Sequence, residues 1–262
     1  MKNSAILVVS FGTSIPQARR AIDNLVNVAT NNFPDYEVRL ALTSKIIRQK
    51  LANEIPNPVE ALAKLNDEEF TQVIIMPTLL IPGQEYDELK NVYEAFKGLK
   101  GKYGFKKLAL GTPFLNSSKD CEHMAEILIS RFDSELYDRH IGIVLMGHGT
   151  SKKSANAFYL QIQQELDKRF YGKFFVGTVD ASPDIHDVVT NLKRQKEIDK
   201  LILSPLMTVA GEHAKSDLAN EWVNIFKDNG YEDISANLIG LGEDKNIAND
   251  FVARLKKIIA TL

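Results

Sequence analysis

The apolar pattern of this chain switches period again and again, and that switching limits the fold more than any other feature. Short β-rich runs occur at residues 6–9, 38–42, 73–76, 107–110, 141–146, 174–178, 201–204 and 234–238. Longer stretches with helical spacing lie between them; at 16–29, for example, Ala18, Ile22, Leu25, Val26 and Ala29 share one face. Ser14 stands where it can cap that helix and Pro16 suits its first turn. Other helices are expected at 44–53, 58–65, 85–96, 118–132, 154–170, 184–192, 213–228 and 246–259. Strands alternating with helices imply right-handed crossovers and parallel sheets, so the fold class is α/β.

The pattern also repeats itself. Residues 4–14 read SAILVVSFGTS and residues 141–151 read IGIVLMGHGTS, with Gly12-Thr13-Ser14 matching Gly149-Thr150-Ser151 at an offset of 137. A second echo follows in the same order: MPTLLIPG at 76–83 and SPLMTVAG at 204–211 share Pro77/Pro205 and Gly83/Gly211. Both echoes fall at strand ends, which makes duplication the better reading. Two similar domains are therefore expected, 1–133 and 134–262, each a mainly four-stranded parallel sheet flanked by helices, with a cleft between them. Ligands of parallel sheets bind beyond the carboxyl ends of the strands, where the strand order reverses, so the echoed loops should line that cleft.

The two copies differ where chemistry could enter. His148 takes the place of Phe11, and His213 that of Glu85. Gly147 and Gly149 flank His148 and leave its backbone bare to a ligand. His213 begins a candidate helix, whose dipole favours a neutral, ligating imidazole. Asp180 ends the strand between the two histidine strands, and two imidazoles with one carboxylate form a common shell for a divalent transition metal. His123, His140 and His186 read as surface or structural residues, and Cys121 as packing.

Composition narrows the setting. With 32 Lys+Arg against 34 Asp+Glu the net charge is −2, which argues against a general nucleic-acid or anionic-membrane binder. One cysteine excludes an internal disulfide and a Cys-x-x-Cys metal site, and no apolar run approaches membrane length, so a cytoplasmic protein is expected. No glycine-rich phosphate loop and no Gly-x-Ser-x-Gly elbow is present. Gly12, Thr13 and Ser14 could still donate hydrogen bonds to a carboxylate or phosphate.

The segments VVSFGTS, LTSKIIRQKL (42–51), PTLLIPGQEYDEL (77–89), LMGHGTS (145–151), VGTVDASPDI (176–185) and PLMTVAGEHAKSDLA (205–219) together resemble the anaerobic sirohydrochlorin cobalt chelatases, of the ATP-independent class II tetrapyrrole chelatases. The resemblance spans essentially the whole chain in order. It implies two similar α/β domains around a cleft, and insertion of Co2+ into sirohydrochlorin or its less oxidised precursor, precorrin-2. No cofactor beyond the substrate metal is implied, Fe2+ and Ni2+ being alternatives, and the partners are the tetrapyrrole and the metal ion, with an oligomer compatible.

By position, His148 matches the catalytic histidine of those enzymes and His213 their second metal-binding histidine. Asp180 falls where they usually carry Glu, an acid longer by one methylene or about 1.5 Å. Glu85 matches an acidic position facing the cleft. His148 then accepts a departing pyrrole proton, Asp180 or Glu85 takes the second or orients an imidazole, and His148, Asp180 and His213 handle the metal. The polycarboxylate substrate would meet Phe11, Gly12, Thr13, Ser14, Thr43, Ser44, Arg48, Gly149, Thr150 and Ser151, with Arg48 able to grip a carboxylate in bidentate fashion. Alternatives are an iron or nickel chelatase for the same tetrapyrrole, a non-catalytic haem or tetrapyrrole carrier, and a two-domain small-molecule binder.

Overall fold

The structure, a computed structural model, describes residues 3–212 and 214–262. Its eight described strands are β1 (Ser4–Ser10), β2 (Glu37–Leu42), β3 (Gln72–Pro77), β4 (Lys107–Leu110), β5 (Ile141–Gly147), β6 (Phe174–Thr178), β7 (Lys200–Pro205) and β8 (Asp233–Ala236). They form two four-stranded parallel sheets of the same topology, β2-β1-β3-β4 and β6-β5-β7-β8. Every apolar run of the sequence is a strand, and the echoed segments are equivalent central strands.

The helices are α1 (Pro16–Asn32), α2 (Lys45–Lys50), α3 (Pro58–Asp67), α4 (Gln84–Gly98), α5 (Ser118–Arg131), α6 (Lys153–Asp167), α7 (Ile185–Leu192), α8 (Val223–Asp228) and α9 (Lys245–Thr261). A nine-residue π-helix, Ala214–Trp222, leads into α8. None of the described helices is long and apolar enough to cross a membrane.

Central strands explain why both sheet faces are apolar. In β1 and β5 every residue after the first is buried, because parallel strands with crossover helices are covered on both sides. On one face of the first sheet Ala5, Leu7, Val9, Val73 and Ile75 pack with Ala61, Leu62 and Leu65 of α3 and Leu89 of α4. The matching face of the second sheet packs Val144, Met146, Leu201 and Leu203 with Val188, Val189 and Leu192 of α7, Leu218 and Trp222 of the π-helix, and Phe226 of α8.

Helix ends follow local chemistry. Asn57 and Glu60 form a capping box on α3, and Asp184 and Asp187 form one on α7. Ser14 does not cap α1: the N-cap is Ile15, and Thr13 Oγ1 accepts the Ile15 N–H at 3.1 Å one turn earlier. α2 is shorter than the sequence suggests, because Ala52 and Asn53 adopt positive φ and end the helical run.

By packing, the chain divides into one unit of Met1–Phe114 with Gly242–Leu262 and another of Leu115–Leu241, a different division from the single boundary at 133/134 read from the sequence. The difference has one cause: the helix after the fourth strand of each half belongs to the opposite unit. α5 follows β4 but packs on α6, and α9 follows β8 but packs on α1.

Candidate active site

In the second sheet the chain leaves β5 for β6 on one side and returns to β7 on the other, so the ends of β5 and β7 flank the point where strand order reverses. His148 is the first residue beyond β5 and Asp180 the second beyond β6. Their backbones stay paired past the sheet, with Val179 N–H donating to Gly147 O at 3.1 Å and Asp180 N–H to His148 O at 2.9 Å. Thr178 donates through its amide (2.7 Å) and hydroxyl (3.0 Å) to Pro183 O, folding the Asp180 loop back on its strand.

This backbone pairing brings the two side chains together: Asp180 Oδ2 lies 3.6 Å from His148 Nδ1. The same nitrogen is 3.1 Å from Gly149 O. Both neighbours are acceptors, so Nδ1 is assigned the proton, and Nε2 becomes the basic nitrogen of the ring. The imidazole is 42% exposed and the carboxylate 58%, so both can meet a ligand from solvent.

The flanking glycines serve the protein itself. Gly149 has φ +89°, and a Cβ there would come within 2.9 Å of Ala181 Cβ. At Gly147 a Cβ would lie 2.2 Å from the ring of Tyr159, so the space beside the strand is filled by an aromatic side chain of α6. The next turn is closed by Asn156, whose side chain accepts from Thr150 N–H (3.0 Å) and donates to Thr150 O (2.8 Å); Thr150 Oγ1 accepts from Lys152 N–H at 3.4 Å. Ser151 is exposed at the same turn.

His213 lies outside the described residues. Among the described ones, no three His, Cys, Asp or Glu side chains are grouped closely enough to hold a metal ion; His148 and Asp180 form a pair. Cys121 is no metal handle. It is buried in α5, its Sγ lies 3.5 Å from Gln161 Oε1, and burial pushes its thiol up to about 12, with Asp120 and Glu165 adding to the effect. His123 and His140 face carboxylates, Glu126 at 3.7 Å and Asp199 at 3.3 Å. His186 occupies the first turn of α7, its amide bound to Asp184 Oδ1.

The equivalent loop of the first unit gathers the other predicted residues. Phe11 holds the place of His148 and is 44% exposed. Thr43 N–H donates to Ser10 O (2.9 Å) and Ser44 N–H to Phe11 O (3.2 Å), so the loops after β1 and β2 are stitched together. Gly12 has φ +101° and donates its N–H to Ser10 Oγ at 3.3 Å. Thr13 is buried, and Ser44 Oγ accepts from Ile47 N–H as the cap of α2. Arg48 is 13% exposed, with Nη1 3.6 Å from Glu60 Oε2. Its Nε and the Thr43 hydroxyl are buried without a hydrogen-bond partner. Glu85 is in the first turn of α4, half-buried beside Tyr86, whose hydroxyl donates to Gly111 O at 3.0 Å.

Tyr159 carries a contact that no motif of the sequence announces. It is buried, yet its hydroxyl accepts the Gly149 N–H at 3.3 Å, one residue from His148. A signal existed: at the offset of the echo, Ser10 is replaced by Gly147 and Ile22 by Tyr159, a paired exchange of sizes.

Two parallel α/β units of one four-stranded topology make up a two-domain, chelatase-like α/β fold. SirB from Bacillus subtilis, solved with Fe3+, has this fold: TM-score 0.67 at 15% identity, over 98% of this chain and 95% of that one. The sirohydrochlorin chelatase SirB from Bacillus subtilis subspecies spizizenii, solved in complex with cobalt, aligns with TM-score 0.65 at 14% identity over 98% and 95%. Residues 4–260 match the family model of the cobalt chelatase (CbiK), and the chain belongs to that family. The sirohydrochlorin cobaltochelatase of Salmonella typhimurium is 30% identical over 264 residues, 97% of this chain and 96% of that protein. The sirohydrochlorin cobaltochelatase CbiKC of Nitratidesulfovibrio vulgaris is 28% identical over 222 residues, 84% and 76%.

Proposed function

We propose that this protein inserts Co2+ into sirohydrochlorin, or into precorrin-2, without ATP. The observation that carries the reading is the His148 ring, its Nδ1 directed at Gly149 O and Asp180 so that Nε2 is the basic nitrogen, in a chain of the cobalt chelatase family. Insertion exchanges two inner pyrrole protons for one metal ion, and the incoming Co2+ must also shed water. His148 Nε2 receives a departing proton, and Asp180, whose Oδ2 lies 3.6 Å from the opposite ring nitrogen, stabilises by its charge the imidazolium that forms. His213 joins His148 and Asp180 in handling the metal, and Glu85 is an acceptor for the second proton. Imidazole and carboxylate donors suit Co2+, Fe2+ and Ni2+ alike, so a competition among these ions belongs in the test.

In the same reading Thr43 and Arg48 receive carboxylates of the tetrapyrrole, since both carry a buried polar atom without a partner. Phe11, Gly12, Thr13, Ser14, Ser44, Gly149, Thr150 and Ser151 complete the substrate-contacting set, and the cytoplasm is the proposed setting.

The test incubates purified protein with sirohydrochlorin and Co2+, without ATP, and follows the absorbance change on metallation. Turnover above the spontaneous rate is expected, and His148→Ala should lower it by about 100-fold or more while remaining folded. Near-normal turnover of that variant refutes the role of His148. A bound-pigment spectrum at stoichiometric level with no turnover makes the protein a carrier.

A further inference from the structure

We propose that Tyr159 is a positioning residue for metal insertion, its buried hydroxyl holding the backbone amide of Gly149 and thereby fixing the neighbouring His148 imidazole against Asp180. The inference rests on the catalytic reading of His148. This one side chain touches the backbone on both sides of His148. The ring lies against Gly147 so closely that no side chain fits there, and the hydroxyl accepts the Gly149 N–H at 3.3 Å. Tyr159 is 2% exposed and sits in the middle of α6, so its oxygen is held by helix packing rather than by a loop. Burial pushes the phenol up to about 12, so the hydroxyl stays neutral.

The duplicated half shows that this arrangement is a choice. In the first unit the equivalent amide, Gly12 N–H, is satisfied by Ser10 Oγ at 3.3 Å, and the helix position of Tyr159 is the fully buried Ile22. That loop carries Phe11. Where the loop carries His148 instead, the serine has become glycine and the isoleucine tyrosine, so the acceptor moves from the strand itself to the neighbouring helix. The Nδ1 contact is to the carbonyl of Gly149, the residue whose N–H the hydroxyl holds. Removing the hydroxyl strands the part-buried Gly149 amide, which must turn toward water and carry the adjoining histidine with it.

Tyr159→Phe keeps the ring and deletes the acceptor. It is expected to lower kcat about tenfold with KM for sirohydrochlorin within twofold, since misplacing a reacting group costs rate rather than binding. Hydrogen exchange in the peptide 145–152 should rise, with the rest of the second unit unchanged. Gly147→Ser combined with Tyr159→Ile rebuilds the first-unit arrangement, and should recover loop protection and most of kcat. Unchanged kcat in Tyr159→Phe overturns the proposal, as does a loss of activity with exchange raised throughout the unit and no recovery in the double variant. Should His148→Ala prove active, the catalytic reading falls by itself, while the exchange of peptide 145–152 still decides whether Tyr159 holds the loop.

Discussion

Asp180 shows how much a single residue can carry when backbone pairing places it. Its amide is fastened to His148 O and its carboxylate reaches the ring nitrogen opposite the one assigned to proton transfer. Asp180→Asn preserves size but removes the charge that favours imidazolium. The expected loss in kcat is about 10- to 100-fold, measured by cobalt metallation, and Asp180→Glu, the longer acid, should retain more activity than Asn. At this scale the sequence was legible where the echoed copies disagree in chemistry: a histidine in place of phenylalanine stands out. Tyr159 did not stand out, because an aromatic at helical spacing is indistinguishable from core until its hydroxyl is seen on the Gly149 amide. The displacement of the α1 cap from Ser14 to Ile15, with Thr13 taking up the amide, turns on one residue of loop geometry that composition does not record.

Among elements, α6 carries a second, electrostatic duty at its far end. Glu165 accepts from Lys168 Nζ at 2.6 Å and lies 3.4 Å from Arg169, which also reaches Glu122 and Glu126 of α5 at 3.6 and 3.5 Å. The Lys168 hydrogen bond, reinforced by the charges of Lys168 and Arg169, holds the Glu165 carboxyl below its ordinary range despite some desolvation. A carboxyl depressed in the folded state contributes stability above the unfolded value, and that contribution fades as pH falls through the folded one. Glu165→Gln should therefore melt about 1–2 °C below the unmodified protein at pH 7, with the gap closing below pH 4 in a thermal-shift series. The described strands β1, β3, β5 and β6 were legible because buried parallel strands are continuous apolar runs. The π-helix at Ala214–Trp222 was not: apolar spacing announces a helix but not whether its turns are closed at i+4 or i+5. Its last residue, Trp222, packs against Gly177, where a Cβ would meet the indole at 2.9 Å.

At the scale of the whole molecule, the reciprocal placement of α5 and α9 is the feature that local sequence could not reveal. Both read correctly as helices, yet each covers a helix encoded in the other half. α9 buries Ile247, Ala248, Phe251 and Leu255, and Arg254 donates to Pro113 O (3.0 Å) and Phe114 O (2.9 Å). Phe251, fully buried 6.3 Å from the Phe114 ring, is the largest of these side chains. Phe251→Ala should cost about 3–5 kcal/mol in urea unfolding, with exchange protection falling in α1, although the two are more than two hundred residues apart in sequence.

This exchange of helices also sets an order of events at birth. Residues 115–241 contain everything the second unit needs, so it can close as it leaves the ribosome. The first unit starts earlier and finishes later: until residues 242–262 emerge, α1 lacks the helix that packs on it, α9. At ordinary elongation rates the half-made unit waits on the order of 10 s with apolar surface bare, the interval in which a nascent chain most needs a chaperone.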